Sequence, residues 1–491
     1  MFTESMMCLN LRKQGKHAIV LVDDNVLLHH DTVQVDGIIT CFDEAIRKRV
    51  STFFLRRLSY IRFYSEFVDV EDFKRILNIS KNMIESDLYK MDSIDLYPYI
   101  NSSINRYYRS IDKFALEHRD YSDVLKMFVQ NSLVSIFIAK SLFQKENPAR
   151  ICTSHGIYST WGPFYQFFLN QKKMSITYSF GGFKTNGVVF CKNNIVASGI
   201  YDNNFFNQFN HQIDLDESYS FCRTYLKSRF EGKSMDLKNI LKGVSKNNRN
   251  EEFIIQLNNK IDAYRHNVFA IFPNVFWDNS YIGCDILFQS NYDWFVQTID
   301  YFVNNTNKLL IIRVHPAEYR WMKSNVGAMD IFNKLFKKQD NILFVDSSNP
   351  FSSYELFPYL NGAFVYNGTI GTELLYNDIP LFSGGLSPYH NKKICYEFKD
   401  KQEYFDLIEN TQVIKEFQKE NKDNLYKFVN YLLNYKIVPI SFLSEHERCK
   451  VRLHLSNKTI LNDQNLDYIS YCLINDGNSY FQHWKTYIHE K

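Results

Sequence analysis

Four segments of this 491-residue chain hold residue types that could do chemistry together. The first is Asn367-Gly368-Thr369-Ile370-Gly371-Thr372-Glu373. Gly368 and Gly371 would let backbone approach a ligand closely, Thr369 and Thr372 offer hydroxyls, and the free N–H groups of a helix starting here favour an anion. Glu373, in the first turn of that helix, would repel an adjacent phosphate and is better suited to accepting ribose hydroxyls. The second is Arg313-Val314-His315-Pro316-Ala317-Glu318. Two positions apart on an extended segment, Arg313 and His315 point to the same side, and a guanidinium fork beside an imidazole suits a phosphate. The third is Ser154-His155-Gly156, where a histidine between a strand and a helix could serve as general base. The fourth is the cluster Asp23, Asp24, His29, His30 and Asp31, a second candidate for acid–base work. Asp278, in Trp277-Asp278-Asn279, is a further carboxylate. Each has a plain structural reading beside it: a capped helix, a buried histidine next to a solvated arginine, a turn, a polar loop.

These residues need elements to hold them. In the first half, His17–Val22, Asp36–Cys41, Arg150–Ser154 and Met174–Phe180 read as strands. A helical zone runs from Phe63 to Lys145 and is stopped by Asn147-Pro148. In the second half, strands are expected at Val268–Val275, Lys308–Val314, Asn341–Asp346, Gly362–Tyr366 and Ile379–Ser383. Helices are expected at Ser290–Asn304, near Asp330–Lys338, at Ser352–Leu360 and from Thr372. Strand and helix alternating at this spacing imply crossover connections and a parallel sheet covered on both faces. Ligands of such sheets bind at the carboxyl ends of the strands, where Asp278, Arg313, His315, Glu318, Asn367, Thr369 and Gly384-Gly385 fall. The polar stretch around 229–262 reads as a connector, and the tail from Thr411 as mostly helical.

Composition narrows the function classes. Lys and Arg exceed Asp and Glu by 57 − 54 = 3, far from the basic bias of a nucleic-acid binder. Nine scattered cysteines without a C-x-x-C point to neither zinc ligation nor a disulfide framework. Asp214-Leu215-Asp216, a short acidic pattern of the kind that holds metals, lacks a preceding strand, so no metal site is expected. There is no Walker loop, no Gly-x-Ser-x-Gly elbow and no His-Glu-x-x-His. The N-terminus shows no signal-peptide pattern. The expectation is a cytoplasmic protein with room for peripheral contact with an inner membrane.

Several of these segments also match a known pattern. Phe272-Pro273-Asn274-Val275-Phe276-Trp277-Asp278, Asp293-Trp294, Ile311 through Glu318, Asn367 through Leu375, and Ile379-Pro380-Leu381 with Gly384-Gly385 and Tyr389 resemble bacterial capsule and surface-polysaccharide biosynthesis glycosyltransferases. They are similar to the capsule Kdo transferases, Kdo being 3-deoxy-manno-octulosonic acid. The resemblance spans about residues 265–410, with Ser154-His155-Gly156-x-Tyr158 as its anchor further upstream.

The resemblance implies a GT-B fold, two Rossmann-like domains with parallel sheets facing across a cleft. The expected organisation is an acceptor-side domain over residues 1–235, a linker at 236–266, a nucleotide-sugar-binding domain at 267–410 and a helical tail at 411–491. Arg313, His315, Glu318, Asn367, Thr369, Gly371, Thr372 and Glu373 would bind the donor. His155 would face the cleft as catalytic residue, with Asp278 and Asp23 as alternatives. The co-substrate would be a nucleotide sugar, CMP-Kdo first, and the acceptor a lipid-linked or oligosaccharide chain of capsule or O-antigen. A CDP-polyol phosphotransferase of the teichoic-acid type shares the His-Gly and Arg-x-His-Pro elements, but usually carries Asp and paired Ser where this chain has Asn367-Gly368-Thr369. A non-catalytic subunit of a polysaccharide assembly complex is the third reading.

Overall fold

The structure is a computed structural model that describes residues 2–29, 60–180, 186–194, 206–207, 210–233, 251–278, 283–315, 318, 324–349, 351–445, 452 and 462–475. The expected strand Asp36–Cys41, together with His30, Asp31, Asn279 and Pro316, lies outside the described residues. The chain forms two compact units, residues 1–107, 117–199 and 433–491 in one, 108–116 and 200–432 in the other. The chain thus passes into the second unit well before the expected linker at 236–266. The tail is divided, and its last part returns to the first unit.

In the first unit, α1 (Phe2–Lys13) precedes the parallel pair β1 (Val20–Val22) and β2 (Ile61–Phe63). The zone expected to be helical, from Phe63 to Lys145, contains a small hairpin, β3 (Lys90–Met91) with β4 (Ile94–Asp95), among its helices. The helices are α2 (Val70–Ser86), α3 (Tyr97–Tyr108) and α4 (Tyr121–Glu146). Asp69 caps α2, accepting from the Asp72 N–H, and α4 ends on Asn147 in the left-handed region, followed by Pro148. Among the described residues α4 alone is long and apolar enough to cross a membrane by length and composition, and most of that stretch is buried in protein.

Next come β5 (Arg150–Ser154), α5 (Gly162–Asn170), β6 (Met174–Phe180) and β7 (Gly187–Lys192). The expectation of a parallel sheet in both halves needs correction here. The four-stranded sheet is mixed: β5 and β6 are parallel, β6 and β7 antiparallel, and the short strand Val438–Pro439 adds antiparallel to β7. The connection from β6 to β7 is too short for a crossover, so the chain can only fold back as a hairpin. The tail seals this sheet. Val438, Ile440 and Phe442, with Leu466 and Ile469 of the C-terminal helix Gln464–Ile474, share a core with Ile176, Tyr178, Val188 and Phe190.

The second unit opens with α6 (Leu215–Phe230), whose N-cap is Asp214, accepting from Glu217 N–H at 2.7 Å. Helix capping therefore accounts for Asp214-Leu215-Asp216. After α7 (Glu251–Ala263), five parallel strands follow: β8 (Val268–Phe272), β9 (Leu309–Arg313), β10 (Ile342–Val345), β11 (Gly362–Val365) and β12 (Leu381–Ser383). Every residue of β8, β9, β11 and β12 is buried, as expected for a sheet covered on both faces. Between the strands lie α8 (Asn291–Asn304), capped by Ser290, α9 (Ala328–Leu335) and α10 (Ile370–Tyr376). The segment 352–360, expected as one helix, is two single 3-10 turns, Ser353–Glu355 and Phe357–Tyr359. Pro358 has no N–H to continue a ladder.

The sheet order is β10-β9-β8-β11-β12, which numbers 3-2-1-4-5 along the chain. The order reverses between β8 and β11, which are directly paired, Phe272 opposite Val365. That reversal is the topological switch point of a doubly wound sheet, where the loops after the two strands diverge and leave a crevice at their carboxyl ends.

Candidate functional site

One of the four segments, Asn367–Glu373, begins at this switch point, beside the stretch that leads to Asp278. After β8 the chain runs through Pro273 and Asn274 into a tight turn, Phe276–Asp278. Trp277 is buried there, its indole N–H donating to Ser324 Oγ at 3.0 Å, while Asp278 is half-buried at the turn's end. After β11 come Asn367, Gly368 and Thr369, then α10. Asn367 is buried, Gly368 and Thr372 half-buried and Thr369 exposed. The carboxamide of Asn274 lies alongside Gly368: a Cβ placed on that glycine would stand 3.5 Å from Asn274 Oδ1.

Gly371 has a structural reason. The Tyr389 phenol packs where its side chain would be, and Tyr389 Oη donates to the Gly368 carbonyl at 3.2 Å. The ring therefore pins the loop after β11. Gly384 and Gly385 similarly lie against the rings of Trp294 and Tyr366.

The charged residues expected to bind the donor are engaged elsewhere. Arg313, at the end of β9, is buried and directs its guanidinium at four backbone carbonyls. They belong to Asp346 (2.6 Å), Phe351 (3.0 Å), Val345 and Asn349 (both 3.4 Å). The fork thus holds the loop after β10. Glu373 is buried on α10, and its carboxylate meets Arg229 Nε of α6 at 2.5 Å. The acid expected to accept ribose hydroxyls is thus already paired with a buried guanidinium. Arg229 lies within the range expected for the acceptor-side domain, and nothing local marks it as the partner of Glu373.

His315 is half-buried, and desolvation, helped by the adjacent Arg313 charge, pulls its imidazole down to about 4. It is neutral at pH 7, so the pair of cations expected after β9 reduces to one, and that one faces carbonyls.

Glu318 is buried too. Its carboxyl lies against Gly327 at the start of α9, and its Oε1 has no hydrogen-bond partner among the described residues. Burial, with Asp330 and Asp346 nearby, weakens it as an acid and pushes its pKa up to about 8. The group is therefore a protonated acid at pH 7. A folded-state value above the ordinary 4.5 favours the fold at low pH, and this contribution is lost as pH rises through about 8. Glu318→Gln should match the parent near pH 5 and unfold at higher temperature near pH 9, as thermal melts across pH would show. Equal pH dependence in both would remove the buried acid from this account.

In the first unit, His155 follows β5 with φ at +47°, and Gly156 follows at +78°. A non-glycine residue held in this region costs about 1–3 kcal/mol and needs anchoring. Its N–H donates to the Tyr178 carbonyl at 3.1 Å, and its ring stacks on Trp161 with centroids 5.6 Å apart. Nδ1 lies 2.6 Å from Ser154 Oγ, and Nε2 lies 3.4 Å from Ser179 Oγ. The imidazole is fixed in orientation between two hydroxyls at the carboxyl end of a parallel strand pair.

Asp23 and Asp24 are buried after β1 but serve the backbone. Asp23 Oδ1 accepts from the N–H groups of Val26 (2.9 Å) and Leu27 (3.2 Å), closing its own turn. Asp24 accepts from the Ser65 N–H (3.1 Å) and hydroxyl (2.7 Å), tying the segment after β2 to the end of β1. The ring of His29 packs edge-on to Tyr107 and Phe128. Asp23, expected as an alternative catalytic carboxylate, thus has a structural task in its own turn.

Among the described residues no three His, Cys, Asp or Glu side chains are placed to hold a metal ion, and the seven described cysteines form no disulfide. Cys191 is buried, as expected of a thiol in an apolar strand, whereas Cys152 is exposed. No protein-family model matches the chain and no curated protein matches it, so the doubly wound sheet of the second unit and the residues around its switch point carry the functional argument alone.

Proposed function

We propose that the chain is a nucleotide-sugar-dependent glycosyltransferase of the GT-B type that extends a capsule or O-antigen polysaccharide at the cytoplasmic face of the inner membrane. One observation carries this reading. Two of the segments that resemble the capsule and surface-polysaccharide glycosyltransferases, Phe272–Asp278 and Asn367–Glu373, flank the switch point of a 3-2-1-4-5 parallel sheet, the place where doubly wound folds bind nucleotides. The donor contacts fall to Asn274, Asn367, Thr369, Thr372 and the neutral His315, while Arg313 and Glu373 shape the loops. His155 is the acceptor-side candidate, held in one orientation for accepting a proton. CMP-Kdo is the favoured donor, and a lipid-linked or oligosaccharide chain the acceptor.

A second reading, a non-catalytic subunit of a polysaccharide assembly complex, is favoured by one finding: Arg313 and Glu373 are already engaged within the chain. Thermal melts with CMP, CDP, UDP and GDP separate the two. A ligand at a hundred times its Kd stabilises by about 2.7 kcal/mol, so an enzyme of this class shows a clear upward shift with one nucleotide. No shift with any of the four favours the subunit. Mass spectrometry of reactions with CMP-Kdo, other nucleotide sugars and CDP-polyols then assigns the group transferred.

A further inference from the structure

The loop after β8 carries a buried amide oxygen with no partner among the described residues. It is the Oδ1 of Asn274, a residue that is itself half-buried. Beside it Phe276 and Trp277 are fully packed, and Trp277 is tied to Ser324. Across from it lies Gly368, where an added Cβ would stand 3.5 Å from Asn274 Oδ1. Thr369 does not cap α10 with its side chain. Arg313, at the same edge of the sheet, turns its charge to carbonyls and away from this amide's task.

A buried polar atom without a partner costs about 1–3 kcal/mol. A fold keeps such a group where something else completes it. A carboxamide places a donor and an acceptor side by side. A phosphate consists of acceptors alone and would satisfy only the amide N–H. A hydroxyl, or the amide edge of a nucleobase, satisfies both halves.

We infer that Asn274 reads the uncharged nucleoside part of the ligand, taking a ribose hydroxyl or base edge on its carboxamide beside Gly368, and is the specificity-determining residue at this edge of the sheet. This rests on the proposed nucleotide-dependent activity and assigns the ribose-recognition task to Asn274 in place of Glu373.

The test is calorimetric titration of the full chain and of Asn274→Ala with CMP, CDP, UDP and GDP. Cytidine, uridine and guanosine enter as competitors, and both proteins are melted without ligand. The nucleotide that binds the parent should lose about tenfold or more in affinity in the variant. Its nucleoside should compete against the parent and lose the same factor. The melting temperature without ligand should be unchanged or higher, because the variant deletes an unpartnered buried atom. A variant that melts lower with unchanged affinity overturns the inference and makes Asn274 a packing residue. A loss confined to phosphate-bearing ligands, or a nucleoside that fails to compete against the parent, overturns it as well. A parent that binds no nucleotide removes the proposed function, and this inference falls with it. A parent that binds while the variant binds equally leaves that function standing and removes only this assignment.

Discussion

Glu373→Ala is expected to lower the free energy of unfolding by about 3–5 kcal/mol, the usual consequence of removing one member of a buried ion pair. Glu373 and Arg229 are both buried and meet at 2.5 Å. Alanine at 373 leaves the Arg229 guanidinium charged and desolvated between α6 and α10. Glu373→Gln should retain part of the loss, because a neutral amide can still accept from the guanidinium but gives up the charge. The double variant Arg229→Met with Glu373→Leu should recover most of the stability, since well-packed apolar replacements of such pairs are often neutral. Denaturant unfolding of all four proteins measures this. A single variant within about 0.5 kcal/mol of the parent would show that the pair is not what joins α6 to α10, and would return Glu373 to the ligand. Nucleotide affinity should fall in Glu373→Ala as well, through loosening of Thr369 and Thr372.

Arg313→Met should be almost as costly. It removes guanidinium bonds to four carbonyls, two of them short, at 2.6 Å and 3.0 Å. Carbonyls left buried without a donor cost about 1–3 kcal/mol each, so a loss of about 3 kcal/mol or more is expected. Lysine should not rescue it, because a single ammonium cannot reproduce a planar fork. The informative comparison is between stability and binding. Thermal melts should shift strongly, and limited proteolysis should speed up in the segment after β10, whereas nucleotide affinity at a temperature where the variant is folded should change little. Unchanged melting with a tenfold loss of nucleotide affinity would mean that Arg313 does contact the phosphate.

Much of the scaffold is legible in the order of the residues. Arg150–Ser154 and Met174–Phe180 begin and end where their apolar patterns do, and the strands of the second half fall within the expected stretches. Ser290 caps α8 as its spacing with Asp293 implies, the Asp293 N–H donating to Ser290 Oγ at 3.1 Å. These features are local. A run of apolar residues, a breaker such as Asn147-Pro148 and a cap one turn from its target all act over a few positions, so their consequences can be read in order along the chain. The same logic puts Arg313, His315, Asn367 and Thr369 after strands, at the edge where a parallel sheet receives ligands.

What those residues do there is decided by partners far away in sequence. Glu373 faces a guanidinium on α6, Arg313 faces carbonyls beyond β10, and Tyr389 explains Gly371. The direction of β7 follows from a short connection, and the return of the tail to the first unit depends on an apolar core shared by Val438, Ile440 and Ile176. Residue type determines that arginine is a cation, that glutamate can be an anion and that asparagine carries a donor beside an acceptor. Burial decides whether each charge survives and which neighbour completes it, because removing a polar group from water costs more than a wrong local preference. So Glu318 holds its proton and His315 lacks one. Sequence alone determined which residues would follow the strands of the sheet; packing decided that Arg313 and Glu373 were engaged within the chain and that the Asn274 Oδ1 was left without a partner among the described residues.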